Sequence, residues 1–341
     1  PVQARCTMSS FSIAFDQQDL AKQLVCHGGA VCVARLRLVA RGQYERFRAP
    51  LKQFLLAELR QDDFHPSAIH ALASASMKGD PDAVSAISER IAHTNQDVRK
   101  AAMQGLTTLA ARGDACTVAA VVSRLEDSDW RMRQAAVEAL AQVASKGDPC
   151  AVAALKTKLQ HADCDIRRVA MEALALVAEE GDQGAIAALM AQMEESDCNL
   201  RRAAVSAFAQ VAHKSDGAAS TVIARLADLD CDVRRAAVEA LPLVSSTSCP
   251  GTLKSLYACL EDESWVVRRC AVQTLGQLGG KGNGPAVAAV TAQLNDSKSN
   301  VRRAAVEALV QLVDKGDHAA IAAVTALLTD ADRVVKRVAK E

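Results

Sequence analysis

The sequence predicts an all-α fold, a right-handed α-solenoid of stacked antiparallel helix pairs, and three observations lead there. The chain repeats every 34 residues: Arg234-Arg235-Ala236-Ala237-Val238-Glu239-Ala240-Leu241 recurs letter for letter at Arg302 to Leu309. Aligned copies start at Phe64, Val98, Met132, Ile166, Leu200, Val233, Val267, Val301 and Val335, in steps of 34 with a single step of 33. Within a copy, apolar residues fall at helical spacings of three and four, in two runs separated by turn residues. Half of the 341 residues are hydrophobic but only 3% are aromatic, a supply of Ala, Val and Leu suited to close helix stacking. A fixed period of this length marks units that cannot bury their apolar faces alone and therefore stack. It overrides the two or three globular domains that the length would otherwise suggest.

Residues 1–48 read as an amino-terminal extension and capping segment. Asp16 to Val25 can form a helix over the first repeat, since solenoid ends need a cover. The first 15 residues hold Arg5, three serines and no acid, the pattern of either a transit-peptide remnant or a plain flexible end. Between Val31 and Arg60, seven cations (Arg35, Arg37, Arg41, Arg46, Arg48, Lys52, Arg60) face Glu45 and Glu58. Residues 31–60 are thus either a candidate anionic contact or a solvated polar face. Residues 49–341 then read as about eight and a half repeats, irregular at 206–260.

The stretch from Asp148 to Ala178 shows the logic of one unit. Asp148 is a helix cap, Pro149 suits the first helical position, and Val152, Leu155 and Leu159 form the apolar stripe of a first helix ending near Gln160. Asp163 caps a second helix whose stripe is Ile166, Ala170, Met171, Ala173, Leu174 and Val177. Gly181 takes the left-handed position that closes it, and Asp182 caps the next helix. Lys78-Gly79-Asp80, Arg112-Gly113-Asp114, Lys146-Gly147-Asp148 and Lys315-Gly316-Asp317 occupy the same place. That column explains Arg112-Gly113-Asp114 as capping rather than as an integrin-type tripeptide.

The motif Asp-x-x-Val-Arg-Arg-Ala-Ala-Val-Glu-Ala-Leu, at Asp230 to Leu241, resembles a HEAT repeat. The short period and turn glycine look most like the subgroup seen in phycobilisome-lyase-type proteins, over roughly residues 49–341. The tetratricopeptide pattern shares the period but lacks its Trp, Tyr and Phe positions here, and ankyrin's Thr-Pro-Leu-His is missing. The resemblance implies that the Val-Arg-Arg helices line a concave face. It also implies a ladder between the first arginine of each copy (Arg99, Arg133, Arg167, Arg201, Arg234, Arg268, Arg302) and turn aspartates, for which Asp127, Asp163, Asp197, Asp230, Asp262 and Asp296 are candidates.

Partner-binding candidates follow from the register. The second basic column holds Lys100, Arg168, Arg202, Arg235, Arg269 and Arg303, of which Arg168, Arg235 and Arg303 have a glutamate four residues on; solvated face and partner contact are both consistent with it. Trp130 and Trp265 stand at the start of second helices, each readable as an interface anchor or as a plug against the next repeat. Pro242 falls inside a second helix, where it removes a hydrogen bond and is expected to kink the chain. With Tyr257, Ser206, Phe208 and the deleted residue, it marks a bend for one partner or relaxed drift. Cys164, Cys198 and Cys231 share one column and Cys116 and Cys150 another. Equivalent sites on stacked helices lie about 8–10 Å apart, too far for a shared zinc or a disulfide.

No catalytic constellation is found, and no metal or cofactor is expected. Gly279-Gly280-Lys281-Gly282-Asn283-Gly284 follows a helix rather than a strand and lacks the magnesium-binding hydroxyl of a phosphate loop. The iron-binding His-Glu pairs of HEAT-type deoxyhypusine hydroxylases have no counterpart, and the aromatic-lined cleft of HEAT-like DNA glycosylases has no obvious source here. Lys plus Arg equals Asp plus Glu at 40 each, which argues against a dedicated nucleic-acid binder. No apolar run reaches the ~18 residues of a membrane span. Eleven cysteines suggest an intracellular, reducing compartment, cytoplasm or organelle interior. The expected function is a non-enzymatic scaffold or accessory subunit gripping a protein partner or multi-subunit complex. A chromophore lyase or carrier is the alternative that the resemblance implies, and nucleic-acid binding is a second alternative.

Overall fold

A computed structural model describes residues 41–61, 65–245, 250–314 and 316–340. The capping helix expected over Asp16 to Val25 lies outside these residues, as does Thr247-Ser248-Cys249, which stands in the sequence where other copies have Lys-Gly-Asp. Eighteen α-helices and no strands are found among the described residues. The chain divides into two compact units within α7, between Leu155 and Lys156. The first unit holds α1 (Arg41–Leu59), α2 (Ser67–Ala75), α3 (Pro81–Arg90), α4 (Gln96–Leu109), α5 (Ala115–Ser123) and α6 (Trp130–Val143). After α7 (Pro149–Lys158) come α8 (Cys164–Val177), α9 (Gln183–Gln192), α10 (Cys198–Val211), α11 (Asp216–Ala224) and α12 (Cys231–Val244). The second unit continues with α13 (Pro250–Cys259), α14 (Trp265–Leu278), α15 (Gly284–Ala292), α16 (Ser299–Leu312), α17 (His318–Ala326) and α18 (Arg333–Val338). Odd-numbered helices open each pair and even-numbered helices close it.

Capping sets where these helices start. The carboxylates of Asp129, Asp163, Asp197, Asp230 and Asp332 accept the amide two residues on, at the entrance of a second helix. Asp114, Asp148 and Asp182 cap first helices by accepting the amide three residues on, from Thr117, Ala151 and Ala185. Such a cap contributes about 1 kcal/mol. Between the two sits a turn glycine in the left-handed region, at φ of 78° for Gly79, 82° for Gly113 and 85° for Gly181. The glycine amide also reaches outward. Gly79 donates to the Leu109 carbonyl at 2.6 Å, Gly113 to Val143 at 2.7 Å, Gly181 to Val211 at 2.6 Å and Gly282 to Leu312 at 2.9 Å. Each bond satisfies a carbonyl at the C-terminal end of the following repeat's second helix, a group the helix itself leaves orphaned.

The single 33-residue step is explained at this turn. Its missing residue is the glycine. Ser215 replaces both partners of the usual Gly-Asp pair: its amide donates to the Val244 carbonyl at 2.9 Å, and its hydroxyl accepts the Ala218 amide at 3.1 Å to cap α11. One residue thus makes both bonds, and the stack proceeds without a gap.

Packing runs chiefly between successive second helices: α2, α4 and α6 in the first unit, and α8, α10, α12, α14, α16 and α18 in the second. Ala102, Ala136, Ala170, Ala204, Ala237, Ala271 and Ala305 occupy one register position and are wholly buried. A methyl side chain there lets backbones approach, while the leucine column four residues on fills the core. Phe208 stands in that leucine column and is also buried, so the larger ring is absorbed. Helix α12 runs through Pro242 to Val244, with the proline in its last turn. Among the described residues no helix is long and apolar enough to cross a membrane.

Candidate functional site

The first arginine column forms a ladder between repeats. In the second unit, Arg201 donates through Nε and Nη2 to both oxygens of Asp228, each at 2.8 Å. Arg234 grips Asp262 at 2.7 and 2.9 Å, Arg268 grips Asp296 at 2.7 and 3.1 Å, and Arg302 grips Asp330 at 2.7 Å twice. The remaining nitrogen, Nη1, donates to two carbonyls in the arginine's own interhelix turn, such as Asp228 and Leu229 for Arg234, at 2.9 and 3.1 Å. One planar guanidinium therefore locks its own turn and reaches the next repeat, a bidentate geometry that lysine cannot supply. In the first unit Arg99 meets Asp127 at 3.2 Å.

The ladder's partners correct the sequence expectation in part. Asp127, Asp262 and Asp296 are rungs, as expected, but Asp163, Asp197 and Asp230 are not. They lie two residues later in the turn and cap second helices. Asp228 and Asp330, absent from the expected set, are the rung partners instead. The distinction is physical: a rung carboxylate sits six residues before the arginine of its own repeat, and the cap sits four before it. Where the rung position is Glu195, Arg167 approaches it only to 3.9 Å. The Arg201 hydrogen bonds hold the Asp228 carboxyl below the usual carboxylate range, against the opposing effect of burial. Arg302 does the same to Asp330.

The second arginine column lies at one register position of α8, α10, α12, α14 and α16, all of it half-buried. Three members are neutralised on their own helix. Arg168 pairs with Glu172 at 2.6 Å, Arg235 with Glu239 at 3.1 Å and Asp232 at 3.3 Å, and Arg303 approaches Glu307 to 3.6 Å. Arg202 and Arg269 have Ser206 and Gln273 at the glutamate position and Asn199 and Val266 at the position three residues before. Arg269 instead lies over the ring of Trp265, 5.8 Å from its centroid. The structure thus joins two candidates, Trp265 and Arg269, that the sequence treated separately.

The other candidates are dispersed. Trp130 is in the first unit and 63% exposed, with Arg131 over its ring at 5.4 Å; it does not plug a neighbouring repeat. The reason is its position at the first residue of α6, outside the buried stripe. Tyr257 is half-buried on the first helix α13, away from the register of the arginine column. Pro242 lies in the last turn of α12, beside the exposed Leu243. Sequence reasoning passed over Leu243 and Leu176, the exposed apolar residues eight positions after Arg235 and Arg168, because each replaces a polar residue singly. Within the basic stretch 31–60, Arg48 donates to the Ala75 carbonyl at 2.9 Å, and Lys52 bridges Asp80 and Asp82 at 2.7 and 3.0 Å. These two cations tie α1 to the repeats that follow. Cys164 and Cys231 are exposed and Cys198 half-buried at the starts of their helices. Among the described residues no group of three His, Cys, Asp or Glu is placed to hold a metal ion.

The model of the family described as HEAT repeats matches residues 104–175, 152–241, 219–290 and 253–341. No curated protein matches the chain. Among solved structures it is similar to Escherichia coli YibA, at 17% identity over 74% of this chain and 90% of that one, with a TM-score of 0.49. It is similar to Kap121p bound to Ste12p at 15% identity and a TM-score of 0.52, over 95% of this chain but 44% of that one. Human deoxyhypusine hydroxylase in complex with glycerol matches at 20% identity and a TM-score of 0.33, over 75% of this chain and 93% of that one. At these identities the likeness is one of fold.

Proposed function

The chain belongs to the HEAT-repeat family, and from that premise we propose that it is a non-enzymatic scaffold or accessory subunit, holding a protein partner against the face formed by its second helices. The observation that carries this reading is the division of labour between adjacent arginines. At Arg201, Arg234, Arg268 and Arg302 the first is consumed by the ladder that fixes one repeat on the next. The second, one residue along, is held half-buried at a constant register yet performs no inter-repeat bond. A face ordered in advance loses little entropy on binding, so modest contacts spread over several repeats can sum to a specific complex. The Kap121p structure, in which a solenoid of similar fold is bound to Ste12p, is a precedent for the mode and not for the partner.

Crosslinking mass spectrometry on the protein purified from its native cells at moderate salt tests this. A stoichiometric protein crosslinked to residues of α8, α10, α12, α14 or α16 is expected. Crosslinks confined to first helices, recovery of the protein alone, or a coloured or nucleic-acid-bearing fraction would overturn the reading.

A further inference from the structure

We propose that the second-helix face of the second unit takes an extended acidic segment of a partner protein, whose two carboxylates seat on Arg202 and Arg269. This rests on the partner-docking reading above and names the chemistry of the partner. Of the five arginines at this register, Arg168, Arg235 and Arg303 already have a glutamate within 3.6 Å. Arg202 and Arg269 have none, because Ser206 and Gln273 replace it. Their helices α10 and α14 also carry no acid three residues upstream, where Asn199 and Val266 stand. Both cations are half-buried, so their field is screened less than that of a fully solvated charge. The Arg269 guanidinium is further restrained by the Trp265 ring at 5.8 Å. Stacking holds one face of the planar group and leaves its edge for a carboxylate, the arrangement in which arginine and tryptophan serve as interface anchors.

The intervening helix determines what kind of anion fits. On α12, Arg235 is neutralised by Asp232 and Glu239 at 3.3 and 3.1 Å. A continuous polyanion crossing α12 would meet two carboxylates and no free cation there. A peptide whose acids are separated by uncharged residues crosses without that repulsion. Two interhelix steps place α10 and α14 about 16–20 Å apart. That span equals about five or six residues of extended chain at ~3.3 Å each. The surface therefore selects paired acids at a fixed separation, and discriminates against nucleic acid through the acids of α12.

Selection of a randomised 16-residue peptide display library on the full chain tests this, followed by binding of the enriched peptides to R202Q, R269Q, the double variant and K281Q. Enriched peptides are expected to carry two acids five or six residues apart. Each of R202Q and R269Q should weaken them about fivefold, and the pair about 25-fold, at the ~1 kcal/mol of a well-placed ion pair. K281Q, at an exposed turn cation off the second helices, should leave affinity within twofold, and an unchanged far-ultraviolet dichroism should show that all variants are folded. Enriched peptides without paired acids, or binding unchanged in the double variant, would overturn this inference and leave partner docking standing. Displacement of the peptides by an equal concentration of single-stranded oligonucleotide would overturn it in favour of nucleic acid. Failure to enrich any peptide would remove both readings together.

Discussion

The Thr274 hydroxyl donates to the Val238 carbonyl at 3.4 Å across the α12–α14 boundary. Val238 is four residues before Pro242, so its carbonyl is the one that a proline, lacking an amide hydrogen, leaves unpaired. Every other repeat with an intact second helix has Ala or Gly at the Thr274 position, as Ala240, Ala308 and Gly105 illustrate. The two irregularities compensate each other, which is why a proline is tolerated in a packed helix.

Thr274→Val, which keeps the shape and removes the hydroxyl, should therefore lower stability by about 1–2 kcal/mol, the cost of leaving a buried acceptor unsatisfied. In a Pro242→Ala background the alanine amide supplies the missing donor. The same Thr274 change should then cost less than half as much. A double-mutant cycle by urea unfolding measures the difference, and equal costs in both backgrounds would remove the proposed compensation.

Much of the fold was legible in the sequence because its determinants are local and repeated. The Gly-Asp turns, the caps and the alanine column each act within a few residues, and 34-residue recurrence aligns them without any knowledge of tertiary contacts. The ladder was half legible for the converse reason. Two aspartate columns, represented by Asp228 and Asp230, lie two residues apart in one turn, and only the path of the next repeat decides which one the arginine reaches. The function of Ser215 was hidden in the same way: a deletion is visible in the alignment, but the residue that covers both missing bonds is identified by where its amide points. Trp130 and Trp265 share a column, yet only Trp265 has an arginine four residues on, at Arg269, to stack against it.

The rungs predict a pH dependence. Hydrogen bonds from Arg201 hold the Asp228 carboxyl below the ordinary range, and Arg302 acts likewise on Asp330. A carboxyl with a depressed folded pKa contributes stability that is fully present above its unfolded pKa of about 3.9 and is lost as pH falls through the folded value. The urea midpoint should therefore hold steady from pH 7 to about 5 and fall below about 4. Asp228→Asn should cost about 1.5–3 kcal/mol at pH 7, as expected for hydrogen bonds to a charged group, and should shrink the acid-induced fall. A variant with the wild-type acid profile would show that this rung contributes nothing.

The turn predicts opposite sensitivities at Ser215 and Gly181. Ser215→Ala keeps the amide bond to Val244 and loses only the cap on α11, a cost of about 1 kcal/mol. Ser215→Pro removes the inter-repeat bond as well and forces the backbone away from its φ of −158°, which should together cost at least about 2 kcal/mol more. Gly181→Ala places a methyl group at φ 85° and against the His213 imidazole, with about 1–2 kcal/mol of backbone strain alone. Thermal unfolding of the three variants ranks them, and a harmless Ser215→Pro would refute the role given to that amide.

Thiol reactivity separates surface from core among the described cysteines. Cys116, Cys150, Cys164 and Cys231 are exposed, whereas Cys259 and Cys270 are buried. Burial pushes the Cys259 thiol up to about 11, so at pH 8 only about one part in a thousand is the reactive thiolate. The Cys270 sulfur is likewise raised by burial, with Glu239 beside it at 3.4 Å. Native iodoacetamide labelling followed by peptide mapping should modify Cys116, Cys150, Cys164 and Cys231 within minutes and leave Cys259 and Cys270 intact until urea is added. Because Cys270 lies on α14 beside Arg269 and Cys259 packs at the end of α13, their protection also reports whether the repeats flanking Pro242 are closed in solution. Rapid labelling of Cys270 in the native protein would mean that the α12–α14 boundary opens there, and that the bond from Thr274 to Val238 does not hold it shut.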